Sequence, residues 1–194
     1  DLLRNDLAAM KGDKIALGAQ AVALGMIGDR QSVKLLTGIL GDRELEKKLR
    51  GAAAIALGLI GDRSANDAIL KTLREREDRA LRVDTAVAAG LLGDSRAVDE
   101  LVQVLLHRRS SQFVLGSVAL ALGQVGDRPA IAPLPAVLEP DAANGSYPDL
   151  TRALVAVALG QLADRRDLRV LSRLSMDINY RASVPALDEI LTIL

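Results

Sequence analysis

The sequence has no cysteine and no tryptophan, and among its 194 residues only one histidine, one phenylalanine and two tyrosines. Without cysteine it can form neither disulfides nor thiolate metal sites, and its redox compartment leaves no mark. A core with almost no aromatic rings must be built from Ala, Leu, Val and Ile. Such a core suits closely spaced helices better than a β-sandwich or barrel. There is also no surplus of charge, because 25 Lys and Arg balance 25 Asp and Glu. Proteins that neutralise nucleic-acid phosphate carry a basic excess or stripe, so nucleic acid is not an expected partner. No apolar run reaches the roughly 18 residues of a membrane span. What remains is plentiful: 49% of the residues are hydrophobic, enough for an extensive core and too many for a disordered chain. The chain starts at Asp1, so it reads as a piece of a longer one; its compartment is unknown, with a cytoplasmic setting the default.

One phrase recurs five times. It runs Ala23-Leu24-Gly25-Met26-Ile27-Gly28-Asp29-Arg30, and again from Ala56 to Arg63, Ala89 to Ser95, Ala121 to Arg128 and, in a worn copy, Ala158 to Arg165. The first glycines stand at 25, 58, 90, 123 and 160. A period near 33 residues marks a repeat array. Upstream of each phrase lies an Ala- and Leu-rich stretch of helical periodicity. The second glycine (28, 61, 93, 126) suits a helix C-terminus, and the following Asp suits the cap of the next helix. Each unit is therefore a first helix, a turn, a second helix and a Gly-Asp corner.

The first glycine sits inside the second helix, where it costs roughly 1 kcal/mol relative to alanine. Positions seven and four residues before it are also small in most units, as in Gly18 and Ala21, Gly51 and Ala54, or Gly116 and Ala119. These offsets share one helix face. The strip so formed lets a neighbouring helix approach closely, which makes it a packing device and not a phosphate-binding loop.

This pattern predicts an all-α, right-handed α–α superhelix of about six helix pairs in one domain. The units fall near 1–28, 29–61, 62–93, 94–126, 127–163 and 164–194. First helices are expected near 2–10, 31–40, 64–76, 95–108, 129–138 and 166–175. Second helices are expected near 13–27, 45–60, 79–92, 111–125, 149–162 and 181–193, lining a concave surface. Pro133 and Pro135 should bend the first helix of the fifth unit.

The repeated A-L-G-x-I-G-D phrase resembles the short HEAT-like repeats of the phycobilisome-lyase type, from about Leu2 to Leu194. Arg50, Arg82 and Arg152, eight residues before the first glycine, match that family's V-R position; Leu17 and Leu115 depart from it. The resemblance implies the architecture and, as one alternative function, a bilin (tetrapyrrole) lyase or a chaperone-like relative. Some HEAT-like proteins are metal hydroxylases with several His-Glu pairs, and this chain has none.

No catalytic constellation emerges, so no enzyme activity, cofactor or metal is expected. His107, followed by Arg108 and Arg109, fits a polar first-helix end with cations near the helix C-terminus. The charge-rich stretch from Lys71 to Asp84 reads as a solvated corner. Arg50, Arg82 and Arg152 either contact a partner on the inner surface or bond loop carboxylates such as Asp42, Asp78 and Asp149 in a ladder. Repeat-periodic residues usually serve repeat packing, which favours the ladder. The stretch Glu139 to Asp149 lengthens the fifth unit and carries Tyr147, the expected exposed contact residue. The apolar end Ile190 to Leu194 suggests docking, for example onto a second copy. The function expected is that of a protein-interaction scaffold or regulatory module.

Overall fold

A computed structural model describes residues 2–10, 12–75, 78–139 and 146–167, with side chains through Leu162 except at Arg128. Among these residues all regular structure is helical. The helices are α1 (Leu2–Ala8), α2 (Lys14–Met26), α3 (Val33–Gly41), α4 (Lys47–Ile60) and α5 (Asn66–Arg74), followed by α6 (Arg79–Leu92), α7 (Val98–Leu106), α8 (Gln112–Val125), α9 (Pro135–Leu138) and α10 (Asp149–Asp167). The chain divides into two compact units, 1–162 and 163–194. The first unit is an α–α solenoid in which α2, α4, α6 and α8 pack in succession and each pairs with the helix before it. The expected sixth repeat lies outside the described residues apart from the end of α10, and so does the segment Ile190 to Leu194.

The corners form as the sequence requires. Gly28, Gly61, Gly93 and Gly126 adopt φ of 68°, 72°, 62° and 72°, a left-handed conformation that a side chain would strain. The aspartate that follows each of the first three accepts a hydrogen bond two residues on, from the backbone N–H of Gln31, Ser64 and Arg96. What it caps is a short 3-10 turn, over 30–32, 63–65 and 95–97, that leads into the α-helix proper. Asp29 also receives Arg4 from the preceding repeat at 2.8 Å. Hydrogen bonds from Ser32, then from Arg4, hold its carboxyl below the usual range despite an opposing contribution from burial.

The fifth corner differs. Ala163 stands where the other units carry the helix-ending glycine, and α10 continues to Asp167 instead of stopping near 162. Alanine pays the left-handed penalty that glycine escapes, so continuing the helix is favoured. The proline-bearing first helix of that unit is broken more than bent. Residues 131–134 form turns, and only α9 is regular, beginning at Pro135, where a missing N–H does no harm.

The first glycines make the closest approaches to a neighbouring backbone in the array. A Cβ built on Gly25 would stand 2.6 Å from Ala56 Cα. On Gly58 it would meet Ala88 O at 2.8 Å, on Gly90 Ala121 Cα at 2.9 Å, and on Gly123 Ala158 Cα at 2.9 Å. The alanine in each case belongs to the Ala-x-Gly of the next repeat. One tripeptide therefore supplies both parts of the joint: its alanine fills the notch of the preceding glycine, and its glycine offers the next notch. Backbones that approach this closely draw the array in on the side of α2, α4, α6, α8 and α10, which makes that side the inner one.

One core position breaks the repeat chemistry. Val33 and Val98 open the first helices of their units, Ile131 holds the same repeat position, and the corresponding residue in the third unit is Asn66. Asn66 is buried, and neither atom of its amide has a hydrogen-bond partner among the described residues. Asn66→Val is expected to stabilise the protein by about 1–2 kcal/mol, by removing an unsatisfied buried amide. A denaturant midpoint unchanged or lowered in the variant would contradict this.

Candidate partner-binding surface

The two ladder arginines with the most complete burial are structural. Arg50, 4% exposed, donates from Nε to Leu40 O at 2.9 Å, closing the C-terminus of α3, and from Nη2 to Glu75 Oε2 at 2.8 Å in the next repeat. Arg43 reaches the other oxygen of Glu75 at 2.9 Å. Burial alone would raise the Glu75 carboxyl, but the hydrogen bonds from Arg50 and Arg43 outweigh it and hold the group below its usual range. Arg82, also buried, donates to Leu73 O at 3.2 Å and to Ser110 Oγ at 3.4 Å in the next repeat. Arg152 repeats the motif more loosely, with Leu138 O at 3.3 Å and Asp149 Oδ1 at 3.4 Å.

The ladder is thus present, but among the recorded bonds only Arg152 meets its expected carboxylate, Asp149. Each arginine ties the end of its own first helix by a backbone carbonyl. The recorded acidic partner of Arg50 is Glu75, at the end of the following first helix, and not Asp42. Asp78 caps α6 through Leu81 N at 2.8 Å and faces Lys47 at 3.7 Å. Buried arginines bonded within the fold are poorly placed to meet a partner.

Tyr147 also departs from the expectation of an exposed contact. It is 5% exposed, belongs to the hydrophobic core, and lies beneath the Arg108 guanidinium at 4.2 Å from its ring centre. Turn-forming neighbours suggested exposure, but an aromatic ring near the foot of α10 gains more by covering apolar surface. Residues 140–145 of the insertion lie outside the described residues. His107 ends α7 beside Arg74, Arg82, Glu100 and Gln103. Among the described residues no cluster of three potential metal ligands occurs.

The stretch from Lys71 to Asp84 is not uniformly solvated either. Arg82 is buried, the Glu75 side chain is only 12% exposed, and Asp84 is half-buried on the inner side.

A surface that single-residue reasoning missed runs along the inner helices. Aligned on the first glycine, the residues ten and three before it and one after it share a helix face. The row three before is Val22, Ile55, Val87, Leu120 and Val157, all at least partly exposed. The row one after opens with Met26, Leu59 and Leu91, and the row ten before holds Ile15, Phe113 and Leu150. Ile15 and Met26 are 84% and 76% exposed. Of the large hydrophobic side chains exposed on α3 to α10, only Leu106 lies on an outer helix. Along one edge, Lys14 pairs with Glu46 and Lys47 with Asp78 between successive repeats, and Arg79 lies over the Phe113 ring at 5.6 Å. The sequence signal was available: the position three before the glycine is apolar in every unit, and its two companions are apolar in most, with Lys48, Gln124 and Gln161 the exceptions, yet they point away from the strip that packs helix on helix.

Within this face Asp84 stands out. It occupies the position six residues before the glycine, filled elsewhere by Ala19, Ala52, Ser117 and Leu154. Its carboxylate rests over Gly51, where any side chain would collide with it. Burial, with a smaller push from Asp78, raises its carboxyl above the ordinary value. A raised carboxyl favours the folded state when protonated, and that contribution is lost as pH rises through its folded-state pKa. Asp84→Asn should therefore raise the melting temperature near neutral pH, with the advantage shrinking as pH falls through the carboxylate range. A constant difference across pH would contradict this.

Residues 43–112 match the family model of HEAT repeats. Over residues 43–112 the repeats are therefore HEAT repeats. The match spans α4 to α7 and so includes Arg50, Arg82 and two of the inner helices, α4 and α6. No curated protein matches the chain significantly. Among solved structures, human deoxyhypusine hydroxylase in complex with glycerol is similar at 17% identity over 84% of this chain and 88% of that one, with a TM-score of 0.46. No helix among the described residues is long and apolar enough to cross a membrane.

Proposed function

We propose that this HEAT array is a non-catalytic scaffold that binds another protein along the inner face of α2, α4, α6, α8 and α10. The observation that carries the reading is the concentration of exposed large hydrophobic side chains on that face. An isolated exposed leucine is unremarkable, but a contiguous apolar surface with a polar rim is characteristic of association sites. Repeat arrays present extended surfaces of this kind, built from one face of each unit. Arg50, Arg82 and Tyr147 are buried and support the fold instead of forming this surface.

The test is co-purification from source cells with charge introduced on either side. Val87→Glu combined with Leu120→Glu should abolish a stoichiometric protein partner, because two carboxylates would be desolvated on contact. Gln103→Glu, on the exposed side of α7, should leave it bound. Both variants should melt close to the parent, since the altered residues keep contact with solvent. A partner lost with Gln103→Glu and retained with the inner-face pair would overturn the proposal.

A further inference from the structure

Most of the inner face is explained by repetition, and Asp84 is the residue that repetition does not explain. Structural side chains recur at their position in unit after unit, as the corner aspartates and the ladder arginines do. Asp84 recurs nowhere: its counterparts are alanine, serine and leucine. It lies in the middle of α6, too far from either end to cap the helix. Among the described residues it has no hydrogen bond and no ion pair. The neighbour that acts on it most strongly by charge is another acid, Asp78. Its carboxylate lies over Gly51 of α4, and the next turn of its own helix carries Val87 of the inner-face row. A half-buried carboxylate without a counter-charge is costly in the free protein and becomes favourable once a cation arrives and water leaves.

The spacing of the face selects the shape of what brings that cation. Packed helices stand about 8–10 Å apart, and two turns of an α-helix rise about 11 Å. A helix laid across α4, α6 and α8 therefore presents the same side to successive repeats at close to heptad intervals. An extended strand covers that distance in about three residues, which turns its side chains to the opposite face. We infer that the partner presents an amphipathic helix whose apolar face carries one lysine or arginine, and that this cation pairs with Asp84. The inference rests on the inner-face reading above and adds the chemistry of the occupant.

A displayed library of amphipathic helices, randomised along the apolar face, tests it. The whole chain and its Asp84→Asn and Val87→Glu/Leu120→Glu variants are the baits. The parent should enrich helices with Lys or Arg within the apolar face. Selected helices should bind Asp84→Asn roughly tenfold or more weakly, as expected for a lost hydrogen-bonded charge pair. Asp84→Lys should exchange the preference for one of Glu or Asp. Helices without a cation, enriched equally by parent and Asp84→Asn but lost with Val87→Glu/Leu120→Glu, would overturn the inference and leave the inner-face reading standing. No enrichment by the parent, or binding unaffected by Val87→Glu/Leu120→Glu, would sink both.

Discussion

Arg50→Met is expected to destabilise the array by about 3–5 kcal/mol, the usual result of removing one member of a buried ion pair. The substitution keeps most of the aliphatic stem, so the loss comes from the head group. Leu40 O at the end of α3 loses its donor, and Glu75 loses the closer of its arginines. Arg43 stays on Glu75, but its side chain is 61% exposed and its hold correspondingly weak. Arg152→Met should cost no more than about 1 kcal/mol, because its partner Asp149 is fully solvated. Chemical denaturation of the two variants distinguishes them, and equal losses would show that burial does not govern the ladder. The pair also has a pH signature. Since the Glu75 carboxyl is held below its ordinary value, its contribution is present above the unfolded-state value and is lost as pH falls through the lowered one. In Arg50→Met the stability should fall less steeply over that acid range.

Gly58→Ala is expected to lower stability by roughly 1–3 kcal/mol, against the sign given by helix propensity. In an open helix the same exchange stabilises by about 1 kcal/mol. At Gly58 the added methyl would stand 2.8 Å from Ala88 O and 2.9 Å from Ala88 Cα, backbone atoms that can yield only if α6 moves away from α4. Gly58→Leu should go further and separate the two helices. Gly38, in α3, provides the control: a Cβ there meets nothing within 4 Å and the backbone is helical. Gly38→Ala should therefore stabilise by about 0.5–1 kcal/mol. Two glycine-to-alanine changes of opposite sign separate close packing from propensity. If both stabilise, the joint between repeats is looser than the distances imply.

Much of this architecture could be read before any coordinate was known, and the reason lies in the repeat. A feature that recurs at 25, 58, 90 and 123 averages away the accidents of one site. The corner glycines, the close-packed first glycines and the boundaries of α2, α4, α6 and α8 followed from that recurrence. Where recurrence fails, so does legibility. The fifth corner carries Ala163 in place of glycine, and α10 runs on past the expected stop. Tyr147 occurs once, in an insertion, and only the folded chain places its ring under Arg108 instead of in solvent.

The candidate surface was legible in principle and still missed. Attention fell on the small residues that pack helix on helix, whereas the rows headed by Val22 and Met26 lie on a neighbouring face of the same helices. Apolar residues at those offsets serve no internal contact large enough to hide them. Asp84 was read as one charge among many between Lys71 and Asp84, since a sequence displays neighbours along the chain and not across repeats. Its setting is visible only when α4, α6 and α8 are placed side by side. The ladder arginines carry the opposite lesson. Their periodicity was plain, but it signified the tying of first-helix ends, which a search for binding residues is prone to misread.

The most direct test of the central claim is site-specific photo-cross-linking in source cells, with a benzophenone side chain at position 87, 120 or 157 on the inner face and at 67, 99 or 103 on the outer helices. The account predicts a defined protein adduct from the inner positions and none from the outer ones. Adducts confined to the outer positions would contradict it and move the binding surface to the other side of the array.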